Sequence, residues 1–154
     1  GMHLVLEAIL DQDDEVLVPE PYFTPYENQV HLSGGKLIPL ETYEQDNFQV
    51  DISRLKTAIT SKTKAIIINN PNNPTGICLS NETLKGIAAV AMEADLAVIA
   101  DDVYGAFSFQ QPFCPITTIP GMRERSITIG SFSKDYAMTG WRIGYVMAPQ
   151  YLIS

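Results

Sequence analysis

Short apolar runs alternate with amphipathic stretches along the whole chain. The runs are Glu15-Val16-Leu17-Val18, Lys36-Leu37-Ile38-Pro39-Leu40, Ala65-Ile66-Ile67-Ile68, Leu96-Ala97-Val98-Ile99-Ala100, Ser126-Ile127-Thr128-Ile129 and Ile143-Gly144-Tyr145-Val146-Met147. Most of them stop at a polar residue, a glycine or a proline. Being largely apolar rather than alternating, they predict strands covered on both faces. Helical spacing predicts helices over Met2 to Leu10, Asp51 to Ile59 and Ser80 to Glu93, with Ser80 as an N-cap and Leu84, Ile87, Ala88 and Ala91 on a buried stripe. Strands alternating with helices predict an α/β fold, a three-layer α/β/α sandwich around a mostly parallel sheet. The connection into the last run is too short for a helical crossover, so that strand is expected to run antiparallel.

The chain has 154 residues and an apolar fraction of 45%, enough for one domain with a core. Its formal net charge of −8 repels nucleic-acid phosphates and anionic lipid, so neither is expected as a partner. No apolar run approaches the roughly 18 to 20 residues that span a bilayer. No secretory signal is read at the start, and Gly1 before Met2 reads as a residue left by tag removal. Cys78 and Cys114 stand far apart without a CxxC pair, and His3 and His31 are isolated. Two reduced thiols, no metal site and a cytoplasmic protein are the expectation.

Ligands of open α/β sheets bind beyond the carboxyl ends of the strands. Three polar segments follow predicted strands: Asn69 to Gly76 (NNPNNPTG), Asp101-Asp102-Val103-Tyr104, and Gly130-Ser131-Phe132-Ser133-Lys134 with Arg142 eight residues on. Singly, each reads as a turn, a helix cap or a solvated lysine. Jointly, a lysine able to form a Schiff base stands among hydroxyls and a guanidinium able to hold a phosphate, as pyridoxal phosphate requires.

These segments, with Val16 to Tyr26 (VLVPEPYFTPY), resemble the class I and II aminotransferases, which are fold-type I pyridoxal-phosphate enzymes. The likeness runs from about Leu4 to Ala148. It implies the large-domain core of that fold and an enzyme that passes an amino group between an amino acid and a 2-oxo acid. A carbon–sulfur lyase of the same fold, or an inactive truncated fragment, are the alternatives. In the roles the resemblance implies, Lys134 binds the cofactor and moves the α-proton, and Asp101 pairs with the pyridine nitrogen. Tyr104 and Asn73 reach the phenolic oxygen, and Phe23 stacks on the ring, with Tyr22 as the fallback. Ser131, Ser133 and Arg142 hold the phosphate. The chain departs from the family in carrying Asp101-Asp102 where relatives often have Asp-Glu. The resemblance also implies that residues 1–154 are a partial large domain. The expectation is a chain without the glycine-rich phosphate loop, the N-terminal segment, the carboxylate-gripping arginine and the small domain, and one that forms a homodimer.

Overall fold

The computed structural model describes residues 1–109 and 111–153. Six strands form one sheet: β1 (Glu15–Glu20), β2 (Lys36–Glu41), β3 (Thr63–Asn69), β4 (Ala97–Asp101), β5 (Ser126–Ser131) and β6 (Gly144–Met147), in the order β2-β1-β3-β4-β5-β6. All neighbours pair in parallel except β5 and β6, which are antiparallel, as the short connection predicts. Helices α1 (Met2–Ile9), α2 (Pro25–Leu32), α3 (Ile52–Ala58), α4 (Asn81–Glu93), α5 (Phe132–Asp135) and α6 (Gln150–Ile153) complete the element order.

Alternation along the strands splits the interior into two cores. On β3, Ala65 and Ile67 pack with Met2, Val5 and Leu6 of α1 and Tyr26 and Val30 of α2. Ile66 and Ile68 point the other way, to Leu55 of α3 and Leu84, Ile87 and Ala91 of α4. In the central strands β3 and β4 nearly every residue thus buries its side chain whichever face it takes, which is why those runs are apolar throughout. Helix α3 is capped by Asp51, whose carboxylate accepts from the N–H of Ser53 at 2.8 Å and of Arg54 at 3.2 Å. Ser80 caps α4 by accepting from Thr83 N–H at 3.0 Å, in the role its position predicts.

Two features differ from the sequence pattern. Helix α2 is not marked by its periodicity, because only Tyr26 and Val30 of its eight residues are buried. Nor, among the described residues, does an α-helix join β4 to β5: the connection has short 3₁₀ turns at Gly105–Phe107 and Ile116–Thr118, with Ile116 and Met122 plugging the core. Among the described residues, no helix is long and apolar enough to cross a membrane.

Candidate active site

Parallel pairing brings the ends of β3, β4 and β5 side by side. Asn69 lies opposite Asp101, and Asp101 opposite Ile129, two residues before Ser131. The three polar segments therefore open on one edge of the sheet, as the strand pattern predicts.

The first is built by its own asparagines. Asn69, buried at the end of β3, donates from Nδ2 to the Asp101 carbonyl at 2.9 Å and accepts from Asn73 N–H at 2.7 Å. Asn70 accepts from Leu79 N–H at 2.9 Å, and Asn72 accepts from Thr75 N–H at 3.1 Å and its hydroxyl at 2.8 Å. Satisfying these backbone groups with side chains fixes a loop that has no ladder to lean on. It carries Asn73 to Tyr104, with 3.5 Å between Nδ2 and the phenolic oxygen. The Lys134 ammonium stands 5.6 Å from the centroid of the same tyrosine ring. Tyr104 is thus the meeting point of all three segments.

Asp101 is buried, and the hydroxyl of Tyr26 donates a hydrogen bond to its Oδ2. Burial pushes the Asp101 carboxyl above its ordinary range, while the Tyr26 hydroxyl and the Val103 N–H pull it back in part. Burial and the adjacent carboxylate also raise Tyr26, which keeps its proton and remains the donor. The other oxygen, Oδ1, is buried and meets hydrogen-bond geometry with no donor among the described residues, so the Val103 N–H acts on the carboxyl without saturating it. Asp102 is raised to about 7, first by burial and then by the neighbouring Asp101 charge.

Phe23 packs edge-on against Tyr26, with ring centroids 5.6 Å apart, and remains 42% exposed beside the Asp101 pair. Tyr22 turns instead toward the core under α1 and α2. Ser131 caps α5, accepting from Ser133 N–H at 3.1 Å, and so orients the single turn that carries Lys134. Ser133 is buried. Arg142 is exposed, adopts a left-handed backbone (φ 53°) and donates from Nη1 to the Thr139 carbonyl at 3.1 Å. Its guanidinium is not joined to Ser131 by a hydrogen bond. The roles of Tyr26, Asn69 and Asn70 are not assigned from the sequence. A buried tyrosine in an otherwise polar helix and two asparagines closing an apolar strand are the signals that point to them.

The edge of the sheet thus carries a buried aspartate at the end of β4, the asparagine-built loop after β3, and Lys134 on the short helix after β5, the layered α/β arrangement of a mostly parallel sheet. The chain belongs to the class I and II aminotransferase family, whose model it matches over residues 1–154. It is 46% identical over 149 residues to an aspartate aminotransferase of Pyrococcus abyssi, covering 96% of this chain and 38% of that protein. It is 42% identical to aromatic-amino-acid aminotransferase 2 of Thermococcus litoralis, again over 96% of this chain and 38% of that one. The solved aromatic aminotransferase of Pyrococcus horikoshii superposes with a TM-score of 0.95 at 44% identity, over 99% of this chain and 41% of that one. The chain therefore spans about two-fifths of the length of the relatives it matches.

Proposed function

We propose that the chain is the cofactor-holding core, a partial large domain, of a pyridoxal-phosphate-dependent aminotransferase acting between an amino acid and a 2-oxo acid. The observation that carries this reading is Asp101 Oδ1, a buried acceptor without a donor. Leaving such a group unpaired is costly, and a protonated pyridine nitrogen is a donor of complementary charge. The residues therefore fit the group. When bound, pyridoxal phosphate supplies an electron sink for the charge that develops at the substrate α-carbon.

The chain's own residues do the rest. Asp101 holds the proton on the ring nitrogen, and Tyr26, tied to its second oxygen, fixes the carboxylate's orientation. Lys134 supplies the amine that anchors the group and carries the α-proton. Tyr104 and Asn73 offer donors to the phenolic oxygen, and Phe23 covers one ring face. Ser131, Ser133 and Arg142 would hold the phosphate, Arg142 by offering it a planar guanidinium fork in place of its bond to the Thr139 carbonyl. The cytoplasm is the compartment and a second copy of the chain the partner.

A second reading has its own support: the chain alone holds the cofactor and turns nothing over. Arg142 is bonded within its own turn, and the relatives have more than twice this length. Incubating the chain with pyridoxal phosphate, a 2-oxo acid and a panel of amino acids including aspartate and aromatic ones separates the two. Amino transfer abolished by Lys134→Ala supports the first reading. Cofactor binding without transfer supports the second, and transfer that survives Lys134→Ala contradicts both.

A further inference from the structure

Strand β5 presents Ile127 and Ile129 to the core beneath α1 and α2, so Ser126 and Thr128 point to the opposite face. There the two hydroxyl residues border an open cleft of about 340 Å³, lined also by Thr117, Arg123, Met147 and Ala148. Ser126 is 2% exposed, and its Oγ has no hydrogen-bond partner among the described residues. Arg123 is exposed and makes no ion pair or side-chain hydrogen bond among the described residues. No carboxylate lines the cleft, although the chain as a whole is strongly acidic.

We propose that this cleft binds the phosphate group of a small phosphate monoester. Three hydroxyls and one guanidinium are donors without a competing anion, and a buried unpaired hydroxyl is favoured to find an acceptor. A carboxylate has two oxygens to offer; a phosphate has enough to take the arginine fork and the hydroxyls together. The cleft is larger than the anion needs, and Met147 and Ala148 form an apolar wall for the organic part of the ester. The cleft is separate from the cofactor site. Ser126 opens β5 and Ser131 closes it, about 16 Å apart at the ordinary rise of a strand.

The test is titration of the chain with inorganic phosphate and with phenyl phosphate at constant ionic strength, following the backbone amide signals of Ser126 and Thr128. Both probes should give saturable shifts. Tighter binding of phenyl phosphate supports the ester and its apolar wall, and equal binding contradicts the ester by assigning the cleft to the free anion. Arg123→Ala should weaken binding roughly tenfold or more, as loss of a charged hydrogen bond does. Ser126→Ala should weaken it several-fold without lowering stability in phosphate-free buffer, because it removes a hydroxyl that has no partner there. Shifts that do not saturate, or that are unchanged in Arg123→Ala, overturn the proposal. So does binding that disappears in Arg142→Ala and persists in Arg123→Ala, which would put the phosphate in the cofactor site.

Discussion

Asp101 and Asp102 are neighbours with different surroundings, and the contrast gives a pH-dependent stability. Asp101 has Tyr26 and the Val103 N–H to offset its burial in part. Asp102 is pushed to about 7 by burial and by Asp101. Between pH 4 and 7 the folded state therefore keeps a proton on Asp102 that the unfolded chain has lost. The folded state binds more protons, so stability falls as pH rises through that window and levels off above it. Asp102→Asn removes the effect. Urea unfolding should find the variant more stable than the parent by on the order of 2 kcal/mol at pH 8, with no gain at pH 4. Equal differences at both pH values would mean that Asp102 ionises freely in the fold. The place of Asp101 is legible in the sequence, since it closes the apolar β4 run, and its role is what the family resemblance implies. The Tyr26 partnership is not, because the two residues are 75 positions apart and meet only when α2 packs on the sheet.

Among the elements, the strands were the most legible. Their apolar runs are long enough to exclude ordinary loops, and in the central β3 and β4 burial on both faces makes the run almost continuously apolar. Helix α2 was illegible for the opposite reason: a helix that touches the core through Tyr26 and Val30 alone carries almost no periodic signal. The β4–β5 connection shows that alternation of strand and helix is a tendency, since 3₁₀ turns plug the core there without a helical stripe. The antiparallel β5–β6 pair rests on close backbone approach. A Cβ on Gly144 would stand 2.7 Å from the Gly130 carbonyl oxygen, a contact that needs the backbone to shift. Gly144→Ala is expected to cost about 1 to 3 kcal/mol in urea unfolding and to loosen the turn that carries Lys134 and Arg142. An unchanged unfolding midpoint would show that β6 adapts without cost. Gly140 has open space around it, and the same substitution there is expected to be mild by comparison.

At the scale of the whole molecule, β6 is an edge strand of which every residue is exposed. Trp141 is 70% exposed, and Ile143, Tyr145 and Met147 are also exposed. Unpaired strand edges and contiguous apolar surface favour association. Light scattering and sedimentation should show a concentration-dependent dimer or larger species, and Val146→Lys should shift it toward monomer. A monomer at every concentration would contradict this. What the sequence left open at this scale is how completely the site is assembled. The spacing names Ser131 and Arg142 together, whereas the arginine's own backbone turn holds it to Thr139.

Lys134 is proposed as the cofactor lysine of this chain, on the same sheet edge as Asp101. The most direct measurement is borohydride reduction in the presence of pyridoxal phosphate, followed by peptide mapping of the covalent label. One label per chain is expected, on Lys134, with the accompanying near-ultraviolet absorbance weakened in Asp101→Asn. No label, or a label on another lysine, would contradict it.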